Sequence, residues 1–211
     1  MNGKRVFAGF FGTIIAIVEI GLLSGCATDK NSLALTQIAM SDKQKGWALT
    51  AENELLHTTS GIENFTCVKT FDKTLPVSEG EISLCAVDEN TAYTAYFSMD
   101  GENILVEYTT DAGENWEHTA VSYASYGGAY KAYLSFTDRE RGYLLYCSDP
   151  GAGMMTKILF STEDGGETWT PQQELECDGA LSYDFFSEND GYLIDETGCL
   201  LPLKASAGTT R

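Results

Sequence analysis

The chain has 211 residues, 31 of them acidic and 13 basic, for a formal net charge of −18. Hydrophobic residues make up 43% and aromatics 11%, enough apolar side chain to pack a core, so a wholly disordered chain is excluded. Phosphate-backbone binding is excluded too: it needs clustered Lys and Arg, and the sequence has no such cluster, so no nucleic acid partner is expected.

Residues 1–25 read as an address. Lys4 and Arg5 precede an apolar stretch, VFAGFFGTIIAIV, which Glu19 then interrupts. Leu23-Ser24-Gly25-Cys26 follows, and it resembles a bacterial lipobox. The resemblance implies that 1–25 is a lipoprotein signal peptide. Cys26 would be thioether-linked to diacylglycerol and become the first residue of the mature chain, with small residues before it to admit the peptidase. A plain membrane anchor with a chance cysteine is the alternative. The acyl chains would hold the chain to a membrane, on its extracytoplasmic face in the bacterial cell envelope. The linker 26–32 reaches only ~20–25 Å when extended, so the folded part would sit close to the bilayer.

From residue 33 the sequence repeats itself. A small residue followed by an aromatic recurs as Gly46-Trp47, Ala92-Tyr93, Gly142-Tyr143 and Gly191-Tyr192, with the aromatics 46, 50 and 49 residues apart. Nine residues before each aromatic stand Ile38, Leu84, Leu134 and Tyr183. Seven before stand Met40, Ala86, Phe136 and Phe185, and five before stand Asp42, Asp88, Asp138 and Ser187. The pattern predicts a short strand, an acidic turn and a second strand starting at the aromatic, then a polar or Gly-rich connection and a third apolar strand such as ILVEY (104–108) or KILF (157–160).

The third strand runs into a second motif. One copy is Thr109-Thr110-Asp111-Ala112-Gly113-Glu114-Asn115-Trp116, and another is Thr162-Glu163-Asp164-Gly165-Gly166-Glu167-Thr168-Trp169. A weaker copy, Thr58 to Phe65, has Ser60 for Asp, Phe for Trp and a shifted Gly; a vestige remains at Ala205–Arg211. The motif resembles the Asp box, or bacterial neuraminidase repeat, of sialidase-like, sortilin-like and photosystem-assembly-factor-like β-propellers. The resemblance implies a structural role for Thr109, Asp111, Gly113, Trp116, Thr162, Asp164, Gly166 and Trp169, on the face away from the ligand. The residues have a physical reading as well: the carboxylate accepts backbone N–H bonds in the turn, Gly supplies positive φ, and Trp covers the hairpin.

The fold class expected is all-β. It is a β-propeller-type array of about four four-stranded antiparallel blades, at approximately 33–71, 81–121, 131–173 and 181–211, with the last incomplete. Three outcomes stay open. Residues 31–36 could supply the missing strand, the array could stay open with an exposed edge, or the chain could be a truncated copy of a longer propeller.

No catalytic constellation emerges. Sialidases grip a substrate carboxylate with three arginines, but Arg139 and Arg141 share one turn on the Asp-box side and no third residue completes a triad with them. His57 and His118 flank Asp boxes and read as solvated strand residues. After Cys26, the cysteines are 67, 85, 147, 177 and 199, with no CxxC pair, so no metal site and no cofactor is expected. Cys85 and Cys147 read as small buried apolar residues. On the side opposite the Asp boxes lie Ser98–Asn103, Ser148–Gly153, Asp195–Gly198 and the blade links 72–81, 121–131 and 172–180. The link VSYASYGGAYK offers Tyr123, Tyr126 and Tyr130 among Ser and Gly, a composition suited to peptide or sugar contact; packing over the blade edge is the alternative. The sequence thus points to a non-catalytic, envelope-anchored binding or assembly module whose protein or glycan ligand is unknown. Glycan binding or processing of the sialidase kind is the alternative, and a propeller remnant the third.

Overall fold

The computed structural model describes residues 16–18, 33–61, 64–72, 82–149, 155–177, 180–185, 190–195 and 197–204. Cys26, the linker 26–32, most of the link 72–81, the tip of the 148–153 loop and the vestigial motif at 205–211 lie outside the described residues.

The first sheet holds β1 (Ala16–Val18), β2 (Leu33–Met40), β3 (Gly46–Thr50), β4 (Glu54–Thr58) and β5 (Thr66–Thr70). The second holds β6 (Ser83–Ala86), β7 (Ala92–Phe97), β8 (Asn103–Thr109) and β9 (Glu117–Ser122). The third holds β10 (Ala129–Phe136), β11 (Gly142–Ser148), β12 (Met155–Thr162) and β13 (Thr170–Cys177), and the fourth β14 (Ala180–Phe185), β15 (Asp190–Asp195) and β16 (Leu200–Lys204). Every pairing is antiparallel and joins neighbours in sequence. This is the β-propeller-type array of four sheets, with three strands described in the last. Two details depart from the sequence expectation. Residues from Leu33 onward form β2 of the first sheet, between β1 and β3, so they do not complete the fourth. β10 begins at Ala129, so Tyr130 belongs to a strand and not to the link.

Chemistry follows depth in each sheet. The second strands of the first three sheets, such as GYLLYCS, are buried on both faces, whereas that of the fourth alternates buried and exposed. The outer strands TCVKT and EHTAVS are polar and largely exposed. Apolar clusters fill the seams between consecutive sheets. Trp47, Leu49, Leu55, Phe71 and Ile82 lie between the first and second. Tyr93, Phe97, Val106, Leu144 and Phe160 lie between the second and third. Tyr143, Leu145, Leu159, Phe185 and Leu193 lie between the third and fourth.

The repeated small–aromatic pair builds these seams. Gly142 faces Phe136 in register, and a Cβ on Gly142 would meet the Phe136 ring at 2.5 Å. The missing Cβ lets that ring lie flat on the strand. Tyr93 of the preceding sheet then stacks on Phe136 at 3.6 Å and 13°, and its hydroxyl donates to the Arg139 carbonyl at 3.2 Å. Tyr143 stacks on Phe185 in the same way, at 3.6 Å and 12°. Between the first two sheets the receiving residue is Ala86, and the incoming ring is the larger Trp47, whose Nε1 donates to the Asp88 carbonyl at 3.1 Å. The larger incoming ring offsets part of the volume lost where Phe is replaced by Ala.

Backbone-directed bonds complete the seams. Ser83 Oγ accepts from the Leu134 N–H at 2.9 Å and Cys85 Sγ from the Phe136 N–H at 3.3 Å. Gln37 donates to the Ile82 carbonyl and accepts from the Leu84 N–H. The Tyr183 hydroxyl donates to the Tyr133 carbonyl at 2.9 Å.

Removing a seam ring leaves a cavity between two sheets. Tyr93→Ala is expected to cost ~3–5 kcal/mol. Tyr192→Ala, at the same column of the fourth sheet but about half exposed, is expected to cost under ~1 kcal/mol. Denaturant midpoints of the two variants check the contrast.

Candidate functional site

The array has two ends of different character. One carries the turns between first and second strands together with the Thr-x-Asp-x-Gly-x-x-Trp motifs that resemble Asp boxes. The other carries the turns between second and third strands and the links between sheets.

At the first end the two strong Asp boxes superpose bond for bond. The Thr109 hydroxyl donates to Asp111 Oδ1 at 2.8 Å and accepts from the Gly113 N–H at 3.0 Å. Asp111 Oδ1 accepts from the Asn115 N–H at 2.9 Å, and Trp116 Nε1 donates to the Gly113 carbonyl at 3.2 Å. Thr162, Asp164, Gly166, Thr168 and Trp169 repeat the set at 2.7, 2.9, 2.9 and 3.1 Å. The left-handed residues are Ala112 and Gly113 in one box and Gly165 and Gly166 in the other. The first of each pair donates its N–H to the neighbouring acidic turn, Ala112 to the Asn90 carbonyl at 2.9 Å and Gly165 to the Glu140 carbonyl at 2.8 Å. Gly61 does the same to the Gln44 carbonyl at 2.7 Å, which is why glycine is shifted in the weak copy. The tryptophans reach beyond their own hairpins. Trp116 packs into the seam with the first sheet beneath Lys69, 4.7 Å above its ring, and Trp169 meets Phe136 edge-on.

The acidic turns repeat as faithfully. Asp42, Asp88 and Asp138 each accept two backbone N–H bonds, from residues two and three positions on. The Asn115 N–H and side-chain amide hold the Asp111 carboxyl below its ordinary range. Burial pushes Asp164 the other way, but bonds from Thr168 and Thr162 outweigh it and its pKa is lowered. Asp42 is lowered by the Gln44 and Lys45 N–H groups. For Asp88, burial is outweighed by the Asn90 N–H and the Arg139 guanidinium.

Arg139 spans the seam to Asp88, with Nε and Nη2 each 2.7 Å from Oδ2. Arg141 lies 3.5 Å from Asp138. Both arginines therefore sit beside the Asp boxes. His57 corrects the sequence expectation of a solvated residue. It is buried, lies 4.4 Å from the Trp47 ring at a 42° tilt and places Nε2 2.8 Å from the Glu89 carbonyl, because the second sheet closes over it. His118 is exposed. Burial pushes the Cys85 thiol up to about 11, which keeps it protonated and inert near neutral pH. Cys147 is buried, and Cys67 and Cys199 are exposed thiols.

At the opposite end the three tyrosines have different surroundings. Tyr123 is buried, stacked on Tyr146 at 5.1 Å and edge-on to Phe97 at 5.3 Å. Tyr126 and Tyr130 are partly exposed. Tyr126 meets Phe160 edge-on at 6.2 Å, and the Lys131 ammonium lies 5.3 Å over the Tyr130 ring. The link is fixed rather than loose. The Tyr123 N–H donates to the Glu102 carbonyl at 3.0 Å, the Tyr146 hydroxyl to the Gly128 carbonyl at 2.6 Å, and the Asp149 N–H to the same carbonyl at 3.0 Å. This brings exposed Asp100, Glu102 and Asp149 around the link. Burial and then these carboxylates raise the Tyr123 pKa. Asp100 is itself held below its ordinary range, first by the Ser98 hydroxyl and then by the Glu102 N–H. The result is a rigid aromatic shelf with an acidic rim, chemically suited to a cationic or hydroxyl-rich ligand.

Two groups escaped sequence reading. Tyr146 anchors the link from a strand 20 residues away from Tyr126. Lys157 is wholly buried in β12, donates to the Met155 carbonyl and faces Asp195 across the third seam, where its charge helps hold that carboxyl low after the Thr197 hydroxyl. A lysine heading the apolar run KILF was the only signal for it.

No family model matches the sequence, and no curated protein matches it. Solved structures similar to the chain include YCF48 bound to D1 peptide, at 16% identity and a TM-score of 0.40 over 89% of this chain and 69% of that one. YCF48 from Cyanidioschyzon merolae follows at 14% and 0.36, over 85% and 70%. The GH74 xyloglucanase from Xanthomonas campestris is similar at 10% and 0.40, over 86% and 38%.

The lowered carboxylates set an acid limit. A carboxylate with a depressed folded pKa adds stability that is present above its unfolded value, ~3.9, and is lost as pH falls through the folded value. Thermal midpoints are expected to fall below pH ~4. Asp111→Asn with Asp164→Asn is expected to lower the midpoint at pH 6 and to flatten its decline toward pH 3, the difference from wild type isolating these groups from the general charge.

Proposed function

We propose that the chain is a lipoprotein of the bacterial cell envelope that works by binding. Diacylglycerol on Cys26 holds it at the membrane, and the shelf between the second and third sheets receives the ligand. The observation that carries the binding role is the rim itself. Partly exposed Tyr126 stands on a link tied down by three backbone-directed hydrogen bonds and ringed by Asp100, Glu102 and Asp149, with partly exposed Tyr130 just beyond it in β10. A fixed link binds without paying to order itself, and the carboxylates select positive charge and quicken encounter with it. The preferred ligand is therefore a protein segment bearing Lys or Arg next to apolar residues.

A binding role without catalysis agrees with where the reactive groups lie. Arg139 grips Asp88 beside the Asp boxes, His57 is packed beneath the second sheet, and the Cys85 thiol is protonated. Hydroxyl-rich glycans are the second candidate, favoured by the same rings and carboxylates. Processing before Cys26 would remove β1 and leave the Leu33–Leu35 edge of β2 without that partner.

Two measurements test the reading. Labelled palmitate is expected to enter the wild-type chain in bacterial cells and not Cys26→Ser; equal labelling rejects the anchor. Basic peptides are expected to bind with an affinity that falls with salt, and Tyr126→Ala to weaken them about tenfold, ~1.4 kcal/mol. Binding to a glycan array with no salt dependence would instead select the sugar ligand.

A further inference from the structure

The shelf holds a buried hydroxyl and a carboxylate that no described residue answers. Tyr123 is 2% exposed, fixed by its stack on Tyr146 and its edge-on contact with Phe97. Among the described residues its hydroxyl has no hydrogen-bond partner, although Asp100, Asp149 and Glu102 all act on it electrostatically. Burial and those charges keep the phenol protonated. A buried O–H without an acceptor is costly, so it points to an acceptor from outside the chain. The carboxylates are not equivalent. Asp100 is already engaged: Oδ1 accepts from the Ser98 hydroxyl and from the Glu102 N–H at 2.8 Å, and Oδ2 from the Asn103 side-chain amide at 3.1 Å. The Asp149 carboxylate has no such bond among the described residues. It lies against Gly128, where a Cβ would collide with Oδ2. The Gly128 carbonyl is itself fixed by the Tyr146 hydroxyl at 2.6 Å and the Asp149 N–H at 3.0 Å. Beside it Gly127 is exposed, with nothing within 4 Å of where its Cβ would stand, so the approach is open. The chain's own cations lie elsewhere: Lys131 is over the Tyr130 ring, and residues 150–154, PGAGM, carry no basic side chain.

We propose that Tyr123 and Asp149 form a two-point subsite for a basic segment of a partner protein: the Tyr123 hydroxyl donates to a main-chain carbonyl of the segment, and a Lys or Arg side chain beside that carbonyl pairs with Asp149. The subsite rests on the binding role proposed above and divides the work of the shelf. Tyr126 and Met99, the latter 65% exposed in the same turn as Asp100, give apolar contact. Asp100 and Glu102 add to the field that draws the cation in. Asp149 is the carboxylate that meets it, because its oxygens are not engaged by its own turn. Gly128 is a positioning residue: only the absence of its Cβ lets the carboxylate rest over the link. The two points together select a protein segment. A neutral sugar could accept from the hydroxyl but would leave Asp149 without a cation, whereas a peptide carries both groups a few ångströms apart. Both points are held by the stacked rings and the tied link before the ligand arrives, so little order is lost on binding.

The test uses the full chain in detergent and two end-blocked peptides, Ala-Leu-Lys-Leu-Ala and the same peptide with Nε-acetyllysine, titrated by calorimetry. Wild type is expected to prefer the charged peptide by about tenfold, the scale of a charge-assisted bond. Asp149→Asn is expected to erase that preference. Gly128→Ala keeps the carboxylate but displaces it, and is expected to erase most of the preference at an unchanged melting temperature, since the Gly128 backbone is not left-handed. Tyr123→Phe keeps the ring stack and is expected to weaken both peptides equally, by about fivefold, because a bond to a carbonyl does not depend on the lysine charge. Glu163→Gln, exposed at the opposite end, is expected to change neither. Charged-peptide binding that Tyr126→Ala weakens but Asp149→Asn and Tyr123→Phe leave intact overturns the subsite while the shelf still binds. A preference lost as much in Glu163→Gln as in Asp149→Asn overturns it in favour of overall charge. No binding of either peptide by wild type overturns both the subsite and the binding role it rests on.

Discussion

At the second and third seams an aromatic ring of one sheet rests on a ring of the next that only a small neighbour allows to lie flat. Phe136 occupies the space where Gly142 has no Cβ, and Tyr93 of the preceding sheet closes the stack. Three residues from two sheets are thus placed by one steric condition. Dispersion and area burial supply the energy, and the Tyr93 and Trp47 polar atoms find main-chain carbonyls in the next sheet's turn, so no donor is stranded. The condition is local to each seam, which is how a chain of four similar units can hold together by nearest-neighbour contacts. It also tolerates change in pairs: where the receiver shrinks to Ala86, the donor grows to Trp47.

The stacked rings fix the sheets relative to one another at the strand ends beside the acidic turns, and the box motifs lock the turns themselves. There the acidic turns consume their carboxylates on their own N–H groups, and the boxes bond to the turns through one left-handed residue. The bridges Lys45–Glu89 and Arg139–Asp88 run from one sheet's turn to the next. Exposed pairs of this kind contribute ~0–1 kcal/mol each, so they register neighbouring turns more than they stabilise them. An end in which nearly every polar group is already satisfied from within has little left for a ligand. The other end keeps Asp149 and Glu102 on the surface beside half-covered rings.

How much of this was legible follows from the range of each interaction. The strands, the acidic turns and the Asp boxes were readable because their bonds close within five residues, as between Asp111 and Asn115. The repeat columns exposed the seam residues, since Tyr93 and Tyr143 do the same task. What could not be read depends on the neighbouring sheet. His57 looks like any polar strand residue until Glu89 and Trp47 are brought around it. Lys157 looks solvated until Asp195 meets it across the third seam. Tyr123 shares its sequence surroundings with Tyr126, yet one lies beneath Tyr146 and the other at the rim.

The same reasoning separates the fourth sheet from its siblings. Its second strand, DGYLID, buries Leu193 on its inner face and exposes Tyr192 and Ile194 on the other. Selection for solubility alone would favour charged residues at Ile194 and Leu200, as in the outer strands TCVKT and EHTAVS, where exposure and polarity coincide. Tyr192, Ile194 and Leu200 instead stay apolar although exposed.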